Sequence, residues 1–134
     1  MENGWLEDKF ECANMLAKRG QLYEAGYMYI ELLESGQEKA REKASNCAKA
    51  LLEIKDHVGA GRIYKELIRL GTNNISRLAY NCAETLYNIQ KYDEAGAIYF
   101  TLAESGVDEA VEYAFQCANM LFDEKEYAEA AHIY

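Results

Sequence analysis

The sequence predicts an all-α fold, an α-solenoid built from antiparallel helix hairpins. Three observations carry this reading. First, Cys12, Cys47, Cys82 and Cys117 stand 35 residues apart, as do Ala25, Ala60, Ala95 and Ala130, and Tyr29, Tyr64, Tyr99 and Tyr134. A fixed period of about 20–50 residues marks a repeat array. Second, each period holds two apolar stripes at helical spacing, parted by a short polar break. Third, the 134 residues contain no proline, and alanine, leucine and glutamate, all strong helix formers, are abundant. The chain reads as one repeat domain over 1–134. Its repeats fall at about 3–36, 37–71, 72–106 and 107–134, the last one truncated.

In repeat one, Asn3 is placed to cap a first helix over Trp5–Arg19, with Leu6, Phe10, Ala13, Leu16 and Ala17 on its apolar face. Gly20 breaks it. A second helix over Leu22–Glu34 carries Leu22, Ala25, Tyr29 and Leu32, and Gly36 ends it as the residue after the C-cap. Repeat two starts near Glu38. Its A helix holds Ala40, Ala44, Cys47, Ala48 and Leu51, Lys55-Asp56 forms the turn, and its B helix runs to Gly71. In repeat three, Thr72, Asn73 and Asn74 are N-cap candidates. The A helix holds Ile75, Leu78, Ala79, Cys82, Ala83 and Leu86, Gln90-Lys91 forms the turn, and the B helix ends at Gly106. In repeat four, Asp108 caps an A helix with Val111, Ala114, Cys117, Ala118 and Leu121. Glu124-Lys125-Glu126 is expected to turn into a B helix starting near Tyr127. Gly26, Gly61 and Gly96 recur inside the B helices. A glycine there costs about 1 kcal/mol relative to alanine, so a neighbouring helix is expected to cross at each. Ala131 fills the fourth position.

The net charge of −9 argues against nucleic acid, which needs clustered Lys and Arg, and against an anionic membrane surface. No apolar run is long enough for a membrane span, and the acidic start MENGWLEDKF is unlike a signal peptide. A cytoplasmic protein with reduced thiols is expected. The four cysteines lack the short spacings of metal ligands. Equivalent helices pack roughly 8–10 Å apart, beyond the roughly 7 Å that a disulfide tolerates between Cα atoms. Four buried structural thiols are therefore expected, with no cofactor or metal.

The pattern resembles the tetratricopeptide repeat, whose motif reads W-x₂-L-G-x₂-Y, then A-x₃-F, then P. Ala25-x₃-Tyr29, Ala60-x₃-Tyr64, Ala95-x₃-Tyr99 and Ala130-x₃-Tyr134 match its second half. The first half matches in spacing, with Cys-Ala in place of L-G and Leu16, Leu51, Leu86 and Leu121 in place of its tyrosine. The resemblance implies a superhelix whose A helices line a concave groove that binds a peptide or protein segment. On the A helices the candidate contact residues are Asn14, Asn46, Lys49, Arg77, Tyr80, Asn81, Glu84, Tyr87, Asn88, Phe115, Gln116 and Asn119. Asn46 and Asn81 are one repeat apart and Gln116 continues the row. A side-chain amide both donates and accepts, so it can pair with a peptide backbone of any sequence. Within the family such asparagines often do so. The acidic chain favours a basic peptide. The 35-residue period is also similar to pentatricopeptide repeats, which bind single-stranded RNA, though the charge opposes that reading.

An enzyme is not expected. His57 holds the repeat position of Leu22, Tyr92 and Tyr127, a packing position, and no phosphate loop, zinc motif or paired-carboxylate signature occurs. A self-assembling module, joined through the truncated C-terminal end, or a fragment of a longer array is the alternative to a peptide-binding scaffold.

Overall fold

The computed structural model describes the backbone of residues 2–133 and the side chains of residues 4–125. Among the described residues the fold is all-α, with seven helices and no strand. They are α1 (Glu2–Lys18), α2 (Leu22–Glu34), α3 (Ala40–Glu53), α4 (His57–Arg69), α5 (Ser76–Asn88), α6 (Tyr92–Glu104) and α7 (Glu109–Ile133). Three hairpins, α1–α2, α3–α4 and α5–α6, are followed by one long helix. Each helix packs mainly on its sequence neighbours, and the B-type helices also touch in order, α2 on α4 and α4 on α6. Such nearest-neighbour packing is what a stack of repeats produces.

The turns share one mechanism. After α2, the Gln37 N–H donates to the Leu32 carbonyl and the Gly36 N–H to Leu33. Thr72 and Gly71 repeat this on Leu67 and Ile68, as do Val107 and Gly106 on Leu102 and Ala103. These crossed bonds satisfy carbonyls that a helix end leaves unpaired, and they need a left-handed residue. Gly36, Gly71 and Gly106 supply it at φ +93°, +90° and +103°. Inside the hairpins the same bonds form around Gly20, Lys55 and Gln90. Lys55 and Gln90 are not glycine, yet adopt φ +68° and +66°. This costs an L-residue about 1–2 kcal/mol, which the packing of B on A offsets.

The recurrent glycines behave as expected. A Cβ added to Gly61 would lie 2.6 Å from Ile98 Cδ1 and 3.4 Å from Cys82 Sγ. One added to Gly96 would meet Cys117 Cβ at 3.0 Å, and one added to Gly26 would collide with Ile63 Cδ1 and touch Cys47. Each B helix thus presents its glycine to the signature cysteine of the next A helix. Cys47, Cys82 and Cys117 are buried accordingly. Burial pushes the Cys47 thiol up to about 11 and the Cys82 thiol up to about 12, because a thiolate loses hydration there.

Several expectations are corrected. Cys12 is exposed: Gly26, Gly61 and Gly96 face Cys47, Cys82 and Cys117, and among the described residues no glycine-bearing helix packs on Cys12. Helix α1 starts at Glu2, placing Asn3 inside the helix and not at its cap. Ile75, not Thr72, Asn73 or Asn74, occupies the N-cap of α5, and it makes no side-chain cap bond. Thr72 is instead buried, and its hydroxyl accepts from Arg41 at 2.5 Å. The turn expected at Glu124-Lys125-Glu126 is absent; α7 runs straight through it. Lys125 holds the position of Gly20, Lys55 and Gln90, but Glu124, Lys125, Glu126 and Ala128 all favour a helix. Continuing the helix there avoids the cost of a left-handed lysine. The expected packing of Tyr127, Ala130, Ala131, His132 and Tyr134 lies outside the residues whose side chains are described.

Candidate functional site

The candidate face is the row of A-type helices, α1, α3, α5 and the first half of α7. It is the more open side of the stack, since no pair of these helices approaches as closely as the B-type pairs do. Described residues of this face line several clefts. One cleft, of about 350 Å³, lies between α3 and the loop after α4 and is lined by Glu38, Arg41, Ser45, Asn46, Lys49 and Asn74 among others. The next, of about 340 Å³, is lined by Ser76, Arg77, Tyr80, Asn81, Val107 and Glu109. A smaller one, of about 190 Å³, reaches from Tyr29 and Lys43 to Asn46 and Cys47.

The repeat register explains why these clefts match. Asn46 and Asn81 precede the signature cysteines, whose thiols turn inward onto the preceding B helix. One step round the helix, the amides must then turn outward. Both are exposed, and neither side chain bonds to another described residue. Gln116, the third member of the row, is half-buried and lines none of these three clefts.

The first cleft is floored by an arginine that the repeat pattern did not single out. Arg41 Nη1 donates to the Leu70 carbonyl at 3.0 Å and to Thr72 Oγ1 at 2.5 Å. Its Nε and Nη2 grip the two Glu38 carboxylate oxygens at 3.0 Å each. This fork is the geometry in which guanidinium and carboxylate pair best. The Arg41 hydrogen bonds hold the Glu38 carboxyl below the usual carboxylate range. Arg41 thereby ties α3 to the end of α4 and fixes one wall of the cleft. No periodic signal could have revealed it, because the matching positions are Leu6, Ser76 and Val111. Charge in the clefts is mixed: Glu38, Glu42, Arg41 and Lys49 share the first, Arg77 and Glu109 the second. The net negative charge of the chain is not concentrated there.

Other candidate residues serve packing. The Tyr29 hydroxyl donates to Asn14 Oδ1, so Asn14 is engaged within its own hairpin. The matching residue in repeat two is Lys49, which is exposed, and the Tyr64 hydroxyl is buried without a partner among the described residues. Tyr80 stands edge-on to Tyr99 and Tyr113, at 5.5 and 5.9 Å between ring centroids, and Tyr99 stacks on Tyr113 at 5.2 Å. This cluster joins α5, α6 and α7; Tyr113 was not foreseen as its third ring. Tyr87 packs edge-on against Tyr92 at 5.3 Å. Glu84, Asn88 and Asn119 are exposed outside the clefts, and Phe115 is 67% exposed.

Among the described residues, no group of three or more His, Cys, Asp or Glu could hold a metal ion. No described helix is long and apolar enough to cross a membrane. Comparison with family models, with curated proteins and with solved structures finds no match.

Proposed function

We propose that this protein is an interaction scaffold that binds an extended peptide or protein segment across its row of A-type helices. The observation that carries the reading is the pair of exposed amides, Asn46 and Asn81, at the same place in successive clefts. Side-chain amides at a fixed interval can pair with the backbone of an extended segment, and the flanking clefts can take its side chains. The tyrosine cluster and the Arg41 fork hold the helices that carry them. Rigid positioning of this kind limits the ordering cost of binding. The overall negative charge steers a basic segment toward the chain, while the mixed charge of the clefts leaves its register to hydrogen bonds.

The test is a display selection for peptides that bind the folded protein, followed by affinity measurement on the double variant Asn46→Ala/Asn81→Ala. Each lost amide pair is worth about 0.5–1.5 kcal/mol net, so the double variant should bind at least about fivefold more weakly with an unchanged unfolding midpoint. Selected peptides whose affinity is unaffected by the double substitution would remove the amide row from the binding face.

A further inference from the structure

Repeat positions that are sealed in the middle of the chain lie open on α7. Ala48 and Ala83 are 0% exposed, and Leu51 and Leu86 are 3% and 0% exposed. The matching residues on α7, Ala118 and Leu121, are exposed, Leu121 at 38%, with Phe122 beside them at 60%. The difference is the cover. α4 and α6 fold back over α3 and α5 at the left-handed turns of Lys55 and Gln90. α7 passes the matching Lys125 without turning.

The repeat register says which segment fits this face. The cover over α5 begins at Tyr92 and carries Ala95, Gly96, Ile98 and Tyr99; residues 127–134 repeat that pattern with Tyr127, Ala130, Ala131, Ile133 and Tyr134. The chain therefore holds both the open A-type face and a B-type sequence with no hairpin of its own. In a straight helix the two cannot meet. At 1.5 Å rise per residue, position 130 lies roughly 14 Å along the axis from position 121.

We propose that two copies of this chain exchange the C-terminal ends of α7. Residues 127–133 of each copy lie over the Ala118–Leu121 face of the other, the two α7 helices running antiparallel about a two-fold axis near Lys125. The contact is isologous and reciprocal, so it closes at a dimer and does not run on into a filament. It uses the hairpin packing already present in repeats two and three, with the turn opened into continuous helix.

Sedimentation equilibrium over a wide concentration range tests this on the full chain. The wild type should be a reversible dimer. Leu121→Glu places a charge in the exchanged interface and should weaken dimerisation at least tenfold. Lys125→Gly frees the backbone to enter the left-handed turn, so each chain can close its own hairpin, and it too should shift the population to monomer with helix content retained. This second variant keeps the proposal falsifiable if Leu121→Glu does not fold. A wild type that stays monomeric throughout overturns the proposal, and so does a dimer that Lys125→Gly leaves undiminished.

Discussion

Alanine at Gly61 isolates the close approach between repeats. On an exposed helix, Gly→Ala stabilises by about 1 kcal/mol, because glycine has more backbone entropy to lose. Here the added methyl would stand 2.6 Å from Ile98 Cδ1, with Cys82 Sγ and Leu86 Cδ1 each at 3.4 Å. The last two distances are ordinary contacts; the first is an overlap. Ile98 is 2% exposed and Leu86 0%, so the isoleucine has little free space to turn into. Overpacking of this kind costs about 1–3 kcal/mol. Set against the propensity gain, Gly61→Ala should destabilise by about 0–2 kcal/mol. Ile98→Val deletes the overlapping atom and alone should cost about 0.5–1.5 kcal/mol. In the double variant the new methyl occupies the vacated space, the overlap is gone and the propensity gain survives. The two substitutions should therefore couple favourably by about 1–3 kcal/mol, and the double variant should be more stable than Ile98→Val alone. Urea unfolding followed by far-UV circular dichroism reads all four species, compared by midpoint at one protein concentration. If Gly61→Ala stabilises by about 1 kcal/mol whether residue 98 is Ile or Val, the B helices are not in contact there. The packing account of the recurrent glycines then fails.

Other outcomes follow from the same geometry. Lys55→Gly and Gln90→Gly, each at a residue held near φ +67°, should stabilise by about 0.5–1 kcal/mol, since relief of left-handed strain exceeds the entropy of the glycine; a lower urea midpoint for both would refute this. The thiols give a pH window. Burial raises Cys47 from 9.0 to about 11 and Cys82 from 9.0 to about 12. Below pH 9 these thiols are protonated in both states and contribute no pH dependence. Above it the unfolded chain releases protons first, so stability falls from about pH 9 until the folded thiols themselves ionise at about 11–12. A disulfide-exchange reagent at neutral pH should modify Cys12 quickly and the other three only on unfolding; rapid modification of all four in the native protein would contradict their burial.

The period of the sequence determined the helices, their hairpin turns and the glycine crossings. Apolar spacing, left-handed stop residues and small contact residues are all local or periodic features, and each is set by backbone geometry that a repeat reproduces every time. The outward placement of Asn46 and Asn81 followed from the same register, because the neighbouring cysteine had to turn inward. Only the tertiary structure decided what depends on a neighbour outside the motif. Cys12 shares the motif of the other three thiols but is exposed, because burial comes from a glycine-bearing B helix and none among the described residues packs on it. Arg41 spans from α3 to the end of α4 from a position that the other repeats fill with Leu6, Ser76 and Val111. Tyr80 and Tyr87 read as contact residues in sequence, yet each stands against other rings, since a half-exposed aromatic on an A helix can reach the adjoining helices. The straight course of α7 is the clearest case. The turn at Lys125 has the same place in the motif as those at Lys55 and Gln90, but a left-handed lysine persists only where the packing that follows it outweighs its strain, and that balance belongs to the assembled structure.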